Sequence, residues 1–198
     1  LKAIGIACHI GKADQRENLV AKTMEAFGRI DILVNNAAIN PVFGPIEEVD
    51  TAIFDKIMEV NVKAPWSLSN LVLPHLKAHK NGSIINIASV EALTPGFGLG
   101  IYSTSKAAIL MLSKNQAKEW GKHGVRVNAI CPGLIKTKFS AALWQNEKIL
   151  GKIQKTLPSE RMGMPEEMVG LACLLASDAG GYMTGGVYTA DGGYMIAG

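Results

Sequence analysis

Cysteine is scarce in this chain of 198 residues: Cys8, Cys131 and Cys173 are odd in number and far apart. They outline neither a disulfide framework nor a zinc knuckle, and a reducing, cytoplasmic setting is the simpler expectation. Long hydrophobic runs are missing too. The longest, around Val169 to Ala176, falls well short of the ~18 residues a membrane span needs, which excludes a spanning helix. Neither sign of charge is in large excess. The formal net charge is +3, and Lys77, His79 and Lys80 are the densest basic group. That leaves no footprint for nucleic acid, so neither nucleic acid nor membrane is expected as a partner. His75 and His79 stand one helical turn apart without a third ligand or an H-E-x-x-H, and read as a partly exposed helix face rather than a metal site. No repeat, linker or low-complexity tract divides the chain, and one domain over residues 1–198 is expected. The chain starts at Leu1, not Met, with no targeting tract, and opens almost at once on a strand-like run.

Apolar residues make up 48% of the chain, arranged as short runs between helical stretches. Ile4 to Cys8 reads as a buried strand. Leu19, Val20, Met24 and Phe27 give a helical period over Asp14 to Phe27, stopped by Gly28. Ile32-Leu33-Val34 is the next strand. Asp50 is placed to cap a helix from Thr51, whose apolar face Asn61 interrupts, and a further helix is expected from Ala64 to His79. Ser83 to Ala88 and Val125 to Ile130 read as strands, separated by a long helix that runs to Trp120 and ends at Gly124. Glu166 to Ser177 predicts a helix and Val187 to Ala190 a last strand. Strands alternating with helices imply a doubly wound α/β fold, a parallel sheet covered on both faces. Ligands bind such sheets at the carboxyl ends of the strands. Asn35-Asn36, Ser89 and Pro132-Gly133 all fall there.

Tyr102 and Lys106 lie four residues apart, on one face of the long helix. Free tyrosine ionises near ~10, and a neighbouring ammonium favours the phenolate. Such a couple is one way to build a proton donor that works near pH 7. Ser89, thirteen residues before Tyr102, has a hydroxyl that can point at the same carbonyl oxygen.

Taken together, Asn35-Asn36-Ala37-Ala38, Asn61, Ser89, Tyr102-x-x-x-Lys106 and Pro132-Gly133 with Thr137 resemble the short-chain dehydrogenase/reductase family. The resemblance covers nearly the whole chain in family order. Cys8 to Lys12 and Pro132 to Thr137 are most similar to its NADP-linked carbonyl and retinal reductase branch; reductases of 3-oxoacyl carrier protein are also similar. The resemblance implies hydride transfer between a nicotinamide cofactor, NADP in preference to NAD, and a carbonyl or secondary alcohol. Tyr102 would move the proton, Lys106 would lower its pKa and hold the ribose hydroxyls, and Ser89 would orient the substrate oxygen. Asn61 would bend its helix and hold a water. Asn36, Ala37 and Ala38 would line the adenosine side, and Pro132, Gly133, Ile135 and Thr137 the nicotinamide side. Leu134 to about Leu157 would form a lid whose Phe139, Leu143 and Trp144 suit an apolar substrate. A homodimer or homotetramer is implied, paired through the two long helices.

Three features complete this reading. The family's glycine-rich phosphate loop is absent, as if a first β-α-β-α segment with the central strand were missing, which leaves open a non-catalytic remnant unable to hold cofactor. Glu91 follows Ser89 closely and could touch substrate, but reads rather as a solvated loop carboxylate. Gly96, Gly98 and Gly100 are spaced G-x-G-x-G, not as a phosphate loop, and read as room for substrate.

Overall fold

Four parallel strands, in the order β1-β2-β3-β4, organise the structure, a computed structural model that describes residues 2–197. They are β1 (Ile32–Asn35), β2 (Gly82–Ile87), β3 (Val125–Pro132) and β4 (Val187–Ala190). Asn35 lies opposite Asn86, Ile87 opposite Ile130, and Pro132 opposite Ala190. Parallel neighbours require crossover connections, and helices supply them. These are α1 (Ala13–Phe27), α2 (Thr51–Met58), α3 (Ala64–His79), α4 (Gly100–Trp120), α5 (Ala141–Trp144), α6 (Glu147–Thr156) and α7 (Val169–Ala176).

Side chains alternate across the sheet, so neighbouring isoleucines serve opposite cores. Ile84 packs with Leu68, Val72 and Leu76 of α3 and with Ala117 and Trp120 of α4. Ile85 packs with Ile130 and Leu175 of α7. Both isoleucines are fully buried. Helices therefore cover both faces, as the doubly wound reading requires. Among the described residues no helix is long and apolar enough to cross a membrane.

Two expectations need correction. Ile4 to Cys8 forms no strand. No described strand lies beside it to complete a hydrogen-bond ladder, so its apolar run stays irregular and Ile4 is 45% exposed. β1 is accordingly an edge strand. The expected helix over Glu166 to Ser177 begins instead as a 3-10 turn over Pro165–Met168 before α7. Pro165 has no N–H and suits a first turn. The Glu167 carboxylate accepts from Met164 N at 2.8 Å.

The helix ends follow the local chemistry. Asp50 accepts from Ala52 N at 2.6 Å, capping α2. Gly28 closes α1 at φ 74°, its N–H bonded to Met24 O. Between α2 and α3 the helix continues through a π turn, Glu59–Lys63.

One buried residue works against stability. Gln116 on α4 is 4% exposed, and among the described residues neither its amide nitrogen nor its oxygen has a hydrogen-bond partner. An unpaired buried amide costs about 1–3 kcal/mol. Gln116→Met should therefore raise the urea midpoint at unchanged m-value, corresponding to about 1 kcal/mol or more. A lower midpoint would show that the amide is satisfied.

Candidate active site

Buried amides lock the strand ends in place. Asn35 Nδ2 donates to Asn86 Oδ1 at 2.8 Å and to Ser69 Oγ at 3.3 Å. Asn86 Nδ2 donates to Ser113 Oγ at 2.8 Å, and that hydroxyl donates to Ile109 O. This chain joins β1 and β2 to α3 and α4. Asn36 and Ala37 emerge from it exposed at the carboxyl edge, with Ala38 half-buried.

Asn61 sits inside the π turn, 1% exposed. Its Oδ1 accepts from Ile39 N at 2.8 Å, and its Nδ2 donates to Ile39 O at 2.9 Å and Ser105 Oγ at 3.0 Å. Both amide hydrogens are thus spent on protein. The side chain is a strut between the loop after β1 and the helix of Tyr102.

Tyr102, Lys106 and Ser89 converge as expected. Ser89 follows β2 and caps a 3-10 turn, its Oγ accepting from Glu91 N at 3.2 Å. Its hydroxyl also acts on the Tyr102 phenol, pulling that pKa down. Lys106 Nζ lies 5.7 Å from the Tyr102 ring centre and donates to Ile87 O at 2.7 Å. The Phe139 ring of the lid stands 5.9 Å from that of Tyr102.

The direction of the shift differs from the sequence expectation. Burial pushes the Tyr102 phenol up to about 12; the Ser89 hydroxyl pulls it down and the Glu91 charge pushes it up further. The Lys106 ammonium is engaged with Ile87 O. Burial brings the Lys106 ammonium down to about 8.

These shifts predict a stability profile. Between pH 8 and 10.5 the unfolded chain holds the Lys106 proton more tightly than the folded one, so stability rises with pH. The relief amounts to about 3 kcal/mol. Tyr102 acts oppositely, since its folded pKa is the higher: its contribution is complete below pH 10 and is lost between 10 and 12. Relative to Lys106→Met, wild type should gain stability from pH 8 to 10, measured by urea unfolding. A parallel pH dependence in the two proteins would contradict the buried charge.

Sequence reasoning misjudged the segment after Ser89. Glu91 is half-buried, and its Oε2 accepts from Gly96 N at 2.6 Å and from Ser103 Oγ at 3.0 Å. The three glycines make room for protein rather than for substrate. A Cβ on Gly96 would lie 2.9 Å from Glu91 Oε1, one on Gly98 2.9 Å from the Phe43 ring, and one on Gly100 2.7 Å from Ile46. Two more residues escaped notice. Asp191 accepts from Gly193 N and Met195 N and packs on Gly133, where a Cβ would lie 2.6 Å from its Cα. Burial and the Glu91 charge raise the Tyr194 phenol. Only the closeness of Glu91 to Ser89 was visible in the sequence.

Pro132 and Gly133 close β3 half-buried at the same edge. Ile135 forms a bridge with Gly163, and Ser140 Oγ donates to Ile135 O at 2.6 Å. Trp144 Nε1 donates to Thr137 O at 2.9 Å. The start of the lid is thereby fastened to α5. A nicotinamide cofactor fits the exposed Asn36 and Ala37, the small Ala38 and Gly133, and the polar group of Ser89, Tyr102 and Lys106 on one edge.

Comparison with known proteins agrees with this geometry. Residues 1–195 match the family described as Enoyl-(Acyl carrier protein) reductase. The chain is 42% identical over 193 residues to Dehydrogenase/reductase SDR family member 4 of Oryctolagus cuniculus, covering 98% of this chain and 74% of that protein. The Homo sapiens protein of the same name is 40% identical, with 98% and 69% covered. Among solved structures, a gluconate 5-dehydrogenase from Burkholderia cenocepacia J2315 in complex with NADP and tartrate superposes with a TM-score of 0.91 at 29% identity, covering 96% of this chain and 74% of that one. A short-chain type dehydrogenase/reductase from Mycobacterium marinum gives 0.89 at 33%, with 98% and 76% covered.

Proposed function

Because the chain belongs to the short-chain dehydrogenase/reductase family, we propose that it interconverts an apolar carbonyl compound and its secondary alcohol, with NADP before NAD as cofactor. The observation that carries this reading is the convergence of Ser89, Tyr102 and Lys106 at the carboxyl edge of the sheet. A bound nicotinamide would supply the hydride chemistry at its C4. Ser89 orients the carbonyl oxygen. Tyr102, protonated at neutral pH, donates to that oxygen. Lys106 holds the ribose hydroxyls. Asn36, Ala37 and Ala38 line the adenosine side, and Pro132, Gly133, Ile135 and Thr137 the nicotinamide side. Phe139, Leu143 and Trp144 offer apolar contact to the substrate.

We place the chain in the NADP-linked carbonyl and retinal reductase branch, and the NADP held by the Burkholderia relative supports that cofactor. A second reading is reduction of a 3-oxoacyl thioester; the matched family, described as Enoyl-(Acyl carrier protein) reductase, shares the acyl carrier protein with that reading but names an enoyl group. The three free cysteines suit a reducing, cytoplasmic setting. Trp66 on α3 and Met111 on α4, 49% and 58% exposed, support a homodimer or homotetramer built on these helices.

The test is a titration with NADPH, and with NADH in parallel, followed by nicotinamide fluorescence and then by a panel of ketones and a 3-oxoacyl thioester. Saturable binding and consumption of NADPH support the reading. Folded protein that binds neither nucleotide would overturn it in favour of a non-catalytic scaffold.

A further inference from the structure

Glu91 is held between two members of the reacting group. Its N–H donates to Ser89 Oγ, and its carboxylate accepts from Ser103, the residue after Tyr102. A second bond, from Gly96 N, fixes the carboxylate on the loop that leads into α4. This charge has no counter-ion: among the described residues no lysine or arginine is paired with Glu91. The cation of the same site, Lys106, is 4% exposed and engaged with Ile87 O. On the lid, Lys136 lies over the Trp144 ring. Phe97, next to the Gly96 that holds the carboxylate, is 83% exposed, and Phe139, against the Tyr102 ring, is 57% exposed. The charge reaches the reacting atoms, since it raises the Tyr102 phenol.

We propose that Glu91 determines substrate charge, making the cleft select uncharged carbonyl compounds and reject those with a carboxylate or phosphate near the carbonyl. The inference rests on the oxidoreductase reading above. A carbonyl oxygen placed at Ser89 and Tyr102 brings its neighbouring substituents beside the loop that Glu91 holds. An anionic substituent there meets a fixed like charge and leaves its own hydration without gaining a partner. A neutral alkyl or aryl substituent meets Phe97 and Phe139 instead. Selection of this kind works by repulsion of the wrong ligand as much as by attraction of the right one.

The test compares ethyl 3-oxohexanoate with the 3-oxohexanoate anion, binding to wild type, Glu91→Gln and Ser103→Ala being measured by ligand-observed NMR. Wild type is expected to favour the ester by about tenfold or more, and Glu91→Gln to remove most of that preference. Ser103→Ala keeps the charge while loosening one of its bonds, and should retain the preference. An unchanged preference in Glu91→Gln would overturn the proposal, as would a wild type that binds both probes equally or neither. NADPH oxidation by the ester, followed in parallel, reports separately on the oxidoreductase reading. An ester that binds selectively but is never reduced would remove that reading and leave the charge selection standing.

Discussion

Tyr102→Phe is expected to lower kcat/KM for carbonyl reduction about 10³-fold, the middle of the range for a positioned proton donor. That corresponds to about 4 kcal/mol of transition-state stabilisation. The change removes one oxygen atom and keeps the ring. Tyr102 is 9% exposed, and its ring packs on Phe139, a contact the phenylalanine retains. Lys106 keeps its bond to Ile87 O in either protein. NADPH affinity should therefore change little while the chemical step collapses. Single-turnover measurements with saturating cofactor separate the two. Retention of more than about a tenth of the activity would assign the proton to another group.

The second large effect concerns stability. Gly124→Val is expected to cost at least about 3 kcal/mol, a large part of the 5–15 kcal/mol that holds a typical domain folded. Gly124 has φ 73°, and a Cβ there would lie 2.3 Å from Lys80 O and 2.7 Å from Lys80 C. Both contacts are backbone, so no side chain can rotate away. Lys80 is itself at φ 54°, and Gly82 N donates to Gly124 O at 3.1 Å. The exits of α3 and α4 thus touch at the point where β2 and β3 begin in register. Displacing one displaces the first pair of the sheet. Gly121→Ala is the control, because Gly121 has helical dihedrals and no atom within 4 Å of a Cβ. Urea unfolding of the three proteins decides it; a Gly124→Val midpoint near that of Gly121→Ala would refute the close contact.

Periodicity made most of the fold legible because the long helices and the central strands bury apolar faces of their own. Ile84 and Ile85 show why: consecutive isoleucines serve cores on opposite sides. Ile4 to Cys8 misled because apolar content reports burial, whereas a strand also needs a neighbour to complete its ladder. Ser89, Tyr102 and Lys106 were readable because strand end and helical spacing place them without further information. The role of Glu91 was not. A loop has no period, and the bonds of Glu91 to Gly96 and Ser103 depend on how the chain turns between them. The pKa of Tyr102 was misjudged for a related reason: spacing located Lys106 on the right face but could not show how far the phenol is buried.

The π turn at Glu59–Lys63 has a consequence for the length of the chain. An α-helix advances roughly 100° per residue, so a wide turn works as a phase shift between α2 and α3. An additional residue inserted there, with no second wide turn to take it up, would rotate Thr51–Met58 about the axis by roughly that angle. Ile57, fully buried, would swing out of the core, and Asn61 would lose its alignment with Ile39 and Ser105. Substitutions in this segment change single contacts, whereas an unabsorbed insertion changes which side of a whole helix faces inward. The number of residues between the two helices is therefore as much a part of the site as the asparagine they carry.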